Sequence, residues 1–156
     1  MSESGQRLDH QALSPDGMRA LGGVYQYVAA KTGLPHELVN LVYLRVSQMN
    51  GCAFCISSHA RDLIKADVSQ DKLLMLTAWR ESGDVYSKRE AAALAWAESV
   101  THVAYTRVPD TDYAAACAQF SPKELVDLTL AIGLINAYNR MAISFRSTPE
   151  AIADRT

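Results

Sequence analysis

Apolar positions along the chain recur three and four residues apart, and helix-start and helix-stop signals break them into segments. Ser14-Pro15-Asp16 offers a capping hydroxyl ahead of a proline at the first helical position, where a missing N–H is harmless. The helix it opens is expected to run to about residue 31 and to stop at Gly33. Pro35-His36-Glu37 opens a second helix, broken at Asn50-Gly51, and a third runs from about residue 52 to 66. Ser69 caps a fourth, expected to reach about Trp79. Ser87-Lys88-Arg89-Glu90 and Ser121-Pro122-Lys123-Glu124 both read as capping boxes, opening helices to about residues 103 and 145. A short helix from about 109 to 118 lies between them. No segment alternates at period two for long enough to be a strand, so the fold class is all-α, with about six to seven helices.

Two of these helices are apolar nearly all round. Leu38, Val39, Leu41, Val42, Leu44, Val46 and Met49 surround most of the second, and the last is as rich in Leu, Ile and Val. A surface helix shows one apolar stripe, whereas a helix apolar on every side must be covered on every side. With 156 residues to supply that cover, a second copy of the chain is the natural supplement, and a homo-oligomer is expected. The last helix does not read as a membrane span, because Asn136, Asn139 and Arg140 interrupt it.

Composition narrows the function classes. A formal charge of −2 offers nothing concentrated for nucleic acid or an anionic membrane. The first twenty residues lack an apolar core of signal-peptide length, and three cysteines do not make a secreted disulfide framework. A cytoplasmic location is the expectation. One domain at 15–147 is expected, between a polar segment at 1–14 and a tail at 148–156.

The chemistry concentrates in Asn50-Gly51-Cys52-Ala53-Phe54-Cys55-Ile56-Ser57-Ser58-His59. If Gly51 ends one helix and Cys52 starts the next, Cys52 lies at the positive end of a helix dipole, which favours thiolate over thiol. Cys52 and Cys55 are three apart and close enough to bridge; Cys55 and His59 are four apart, so the imidazole shares the face of the second thiol. Such a dithiol lets one sulfur attack an oxidant and the other resolve the sulfenic acid as a disulfide. The usual thioredoxin reading requires a βαβ context that this chain lacks. Two other readings compete: zinc on Cys52, Cys55 and His59 with Cys117 or His102, short of the usual second ligand pair, and two inert buried thiols. Cys117 reads as core, His10, His36 and His102 as solvated or core, and Trp79, Trp96, Tyr43 and Tyr138 as packing.

The C-x-x-C-x-x-x-H pattern, the phrase Leu44-Arg45-Val46-Ser47-Gln48-Met49-Asn50-Gly51-Cys52 and the segments 78–82, 87–98 and 135–143 together resemble the carboxymuconolactone decarboxylase superfamily, in its AhpD-like alkylhydroperoxidase branch. The resemblance spans roughly residues 15–147. It implies an oligomeric helical bundle, a trimer or hexamer, and a thiol peroxidase acting on hydrogen peroxide or organic hydroperoxides without haem, flavin or metal. A thiol reductant would complete the cycle, whether thioredoxin, a lipoyl group or a small dithiol. Carried over residue by residue, Cys55 is the peroxidatic thiol, Cys52 the resolving thiol and His59 part of a proton relay. Two positions depart from the branch. Asn40 stands where its relay has a Glu, with Glu37 one turn earlier as a substitute, and Phe54 stands where it has a His before the second Cys. Muconolactone decarboxylation itself calls for cationic and acid–base groups rather than paired thiols, so the resemblance points to thiol chemistry. The other reading is a thiol–disulfide module or sensor that passes disulfides to a protein partner.

Overall fold

The computed structural model describes residues 5–149, so of the expected tail at 148–156 all but two residues lie outside the described region. The helices are α1 (His10–Leu13), α2 (Pro15–Lys31), α3 (His36–Asn50), α4 (Ala53–Lys65), α5 (Gln70–Met75), α6 (Lys88–Thr101), α7 (Val103–Thr106), α8 (Asp110–Cys117) and α9 (Pro122–Phe145). Two 3₁₀ segments, Leu76–Glu81 and Gly83–Val85, join α5 to α6, and no strand occurs among the described residues. No helix among them is long and apolar enough to cross a membrane. Both capping boxes form: the Ser87 and Ser121 hydroxyls accept from the backbone of Glu90 and Glu124, whose carboxylates accept from the cap N–H groups in return.

Two local expectations are corrected. Ser14 makes no side-chain cap bond: its backbone, at φ −135° and ψ 61°, departs from the extended conformation of a capping residue, and its N–H closes α1 on the His10 carbonyl. The fourth helix does not reach Trp79 as one α-helix. It tightens to 3₁₀ after Met75 and breaks at Ala78, so that the Trp79 indole and the Arg80 guanidinium both reach Glu98 on α6. Arg45 of α3 donates to the same carboxylate. Burial acts to raise the Glu98 pKa, but these three donors outweigh it and hold the carboxyl below its ordinary value. Helix α6 ends at Thr101, close to the expected 103, and beyond it the Thr106 hydroxyl donates to the Ser99 carbonyl.

Helix α3 is the axis of the bundle. Val39, Val42 and Val46 turn towards Leu128, Ile132 and Ile135 of α9, while Leu41 and Leu44 turn towards Leu63 of α4, Leu76 and Leu94. Fully burying each such side chain stabilises the fold by about 1.5–3 kcal/mol. The apolar circumference of α3 is therefore covered within one chain, and the inference of a partner subunit from that helix is not needed. Helix α9 differs. Its face bearing Leu128, Ile132 and Ile135 is buried, but Val126 and Leu130 are 61% and 46% exposed beside an apolar groove shared with Leu21 and Val24 of α2. The segment before α2 folds back on the far end of α9, where the Arg7 backbone N–H donates to the Phe145 carbonyl at 2.9 Å and His10 stacks on the Phe145 ring.

Candidate active site

The site begins where α3 stops. Gly51 adopts a left-handed φ of 72°, a conformation that a side chain would disfavour, and its N–H closes α3 on the Ser47 and Gln48 carbonyls. The chain is thereby turned so that Cys52 becomes the N-cap of α4, its Sγ accepting from the Cys55 backbone N–H at 3.3 Å. Cys52 and Cys55 are joined as a disulfide with Cα atoms 5.4 Å apart. In the dithiol form the same N–H and the α4 dipole favour a thiolate at Cys52.

Asn50 precedes this turn, and its role goes beyond the turn chemistry its place before glycine suggests. Its amide donates to Asn136 and Asn139 of α9, each at 2.9 Å, and Asn139 donates in turn to the buried Ser47 hydroxyl at 3.0 Å. A polar link anchored on the buried Ser47 and Asn139 thus pins the helix break to α9. Replacing Asn139 by Leu, similar in shape, strands the Ser47 hydroxyl and is expected to lower stability by about 2 kcal/mol, read from the urea midpoint.

His59 lies one turn beyond Cys55 and is 8% exposed. Its Nδ1 is 3.0 Å from Asn40 Oδ1. The Asn40 amide is oriented by its other contacts: Nδ2 lies 3.1 Å from the His36 backbone carbonyl, which can only accept, and 3.1 Å from His36 Nε2. Asn40 Oδ1 is thus the atom facing His59, and because it can only accept, His59 Nδ1 carries the proton. The lone pair of the neutral ring is then on Nε2. Burial pushes the His59 pKa down to about 4, against a smaller upward pull from Asp62, so the ring is neutral across the physiological range. Tyr43, buried with its ring 4.9 Å from that of His59, walls off the other side.

Cys55 and His59 line one cavity of about 520 Å³, with Tyr25, Phe54, Ile135 and Tyr138 as its apolar walls. Cys52 opens instead on a separate cleft beside Ala142 and Arg146, on the other side of Phe54. Of the four residues expected in the site, Cys52, Cys55 and His59 are brought together. Glu37 is not: it is exposed and makes no hydrogen bond to Asn40 or His59. Spacing puts both His36 and Glu37 beside Asn40, but it is His36 whose ring and backbone carbonyl reach the Asn40 amide, while Glu37 stays in solvent. His10 and Tyr138 also line the cavity, against the reading of both as bystanders. Nothing local to His10 in the sequence could have marked it, since only the fold-back onto α9 brings it there. Cys117 is exposed rather than core, and neither it nor the exposed His102 lines this cavity, so neither completes a zinc set with the pair.

The sequence profile of the carboxymuconolactone decarboxylase family matches residues 15–99. The uncharacterized protein YdfG of Bacillus subtilis (strain 168) is 36% identical over 139 residues, 89% of this chain and 93% of that protein. The crystal structure of ATU0492 from Agrobacterium tumefaciens, a protein of unknown function described as a candidate antioxidant defence protein AhpD, superposes with a TM-score of 0.88. It is 37% identical, with 92% of this chain and 97% of that one covered. An uncharacterized peroxidase-related protein from Silicibacter sp. TM1040 shares the fold, with a TM-score of 0.78 at 18% identity over 88% of this chain and 72% of that one.

Proposed function

The chain belongs to the carboxymuconolactone decarboxylase family, in its AhpD-like branch, and from that premise we propose that it is a thiol peroxidase acting on hydrogen peroxide or organic hydroperoxides. The observation that carries the reading is the Cys52–Cys55 disulfide at the head of α4, with Cys55 and a neutral His59 on the wall of one cavity. In the dithiol state His59 Nε2 takes the Cys55 proton, and the thiolate attacks the terminal peroxide oxygen. The O–O bond breaks, Cys55 becomes a sulfenic acid, and the departing alkoxide takes a proton and leaves as the alcohol. The Cys52 thiolate then attacks the Cys55 sulfur, releasing water and forming the disulfide. An external dithiol reduces it by two exchanges and leaves oxidised. Asn40, unlike a carboxylate, cannot take a proton; its part is to hold His59 with Nε2 as the base.

Dithiothreitol-driven consumption of hydrogen peroxide and cumene hydroperoxide tests this directly. Turnover well above the free-thiol background is the expected result. Turnover at background would transfer the reading to disulfide exchange with a protein partner, for which the same dithiol suffices.

The proposed enzyme is a homo-oligomer, a trimer or hexamer, supported by the exposed Val126–Leu130 stripe on α9 and the apolar groove of about 580 Å³ beside it. Leu130→Glu is expected to shift the sedimentation coefficient to that of a monomer while leaving the helical circular dichroism intact.

A further inference from the structure

The cavity over Cys55 is larger than hydrogen peroxide requires, and its charges are one-sided. Its volume of about 520 Å³ is that of a small-molecule site, about 300–1,000 Å³, against about 30 Å³ for a water molecule. Its floor is the buried pair Cys55 and His59, and its outer rim is the exposed or half-exposed segment before α2, contributing Gln6, Asp9, His10 and Gln11. That segment is tied down at the end of α9 by both the backbone and the guanidinium of Arg7 and by the His10–Phe145 stack. Among the described residues the wall carries two carboxylates, Asp9 and Asp62, and no Lys or Arg.

We propose that this cavity selects uncharged, partly apolar ligands, the N-terminal segment acting as its specificity wall. The same preference applies to the hydroperoxide and to the body of the thiol that reduces the disulfide, whose sulfur attacks as the thiolate in every case. An alkyl or aryl body packs on Tyr25, Phe54, Ile135 and Tyr138, between the Cys55 floor and the rim of the N-terminal segment. A ligand carrying an added negative charge meets Asp9 and Asp62, and no Lys or Arg among the described lining residues offsets them. The inference deepens the peroxidase reading, but its charge selection concerns the disulfide and holds for thiol exchange as well.

The closing experiment separates the two. The rate at which the Cys52–Cys55 disulfide is opened is measured at low salt, per thiolate, for 2-mercaptoethanol, whose thiolate carries one negative charge, and for 2-mercaptoethanesulfonate, whose thiolate carries two, by alkylation and intact mass. In wild type the sulfonate is expected to react about tenfold more slowly, a gap that closes at high salt and in Asp9→Asn/Asp62→Asn. Asn at position 9 still caps α1, so the wall is kept. Equal rates for the two thiols in wild type, or a gap that survives in the double variant, overturn the proposal. Absence of turnover in wild type sinks the peroxidase reading alone, because the exchange rates still decide the charge selection.

Discussion

Cys55→Ser is expected to lower peroxide turnover by at least about a thousandfold, since a hydroxyl in place of the attacking thiolate leaves no nucleophile able to accept the peroxide oxygen. Cys52→Ser should also stop steady-state turnover, but in a different way. With Cys55 and His59 intact, that variant still reduces one equivalent of hydroperoxide per chain and stalls as the Cys55 sulfenic acid, which dimedone traps and intact mass detects. The two thiols are distinguished by place as well as by sequence order. Cys55 shares the cavity with His59, whereas Cys52 faces the separate cleft and receives the Cys55 backbone N–H. That N–H makes Cys52 the better-stabilised thiolate, a property suited both to resolving a sulfenic acid and to leaving when a reductant attacks Cys55. A dimedone adduct in Cys55→Ser and none in Cys52→Ser would reverse the assignment.

The second large effect is on stability in acid. Burial holds the His59 pKa at about 4, whereas an unfolded chain titrates an ordinary histidine near 6.5. Between these two values the unfolded state binds the extra proton and the folded state does not. The stabilisation is therefore complete above about pH 6.5 and is lost as the pH falls towards 4, reaching about 3 kcal/mol. Urea unfolding of the disulfide form at pH 7.0 and 4.5 measures it, with His59→Gln as the reference. Gln still offers Asn40 Oδ1 a donor and does not titrate, so its loss over that interval should be smaller than that of wild type by about 2–3 kcal/mol. Identical losses in both proteins would show that His59 does not set the acid limit. The same depressed pKa keeps the proposed base neutral at pH 5.5, where an unburied histidine is mostly protonated.

The helix order was legible in the chain because its signals are local. The two capping boxes, the Gly51 break and the dithiol at the head of α4 each depend on residues within one turn of one another. For the same reason the neighbourhood of Cys52, Cys55 and His59 followed from spacing, and the family from motifs strung along most of the chain. The break at Ala78 was not legible, because it is a compromise that lets Trp79 and Arg80 converge with Arg45 on Glu98, and those partners are far apart in sequence.

By itself, then, the sequence determined an all-helical family member with a redox dithiol one turn from a histidine. Tertiary structure alone decided which groups complete the site. Counting back along α3 offers Glu37 and His36 equally to Asn40, and only the packing of that helix leaves Glu37 in solvent. His10 lies 45 positions before Cys55 and reaches its cavity only because the first residues fold back onto the end of α9. The apolar faces of α3 and α9 look alike as strings, but one is sealed within the chain and the other keeps an exposed stripe. Spacing encodes which residues share a helix face; which face meets solvent, a ligand or another helix depends on contacts between segments that local spacing does not contain.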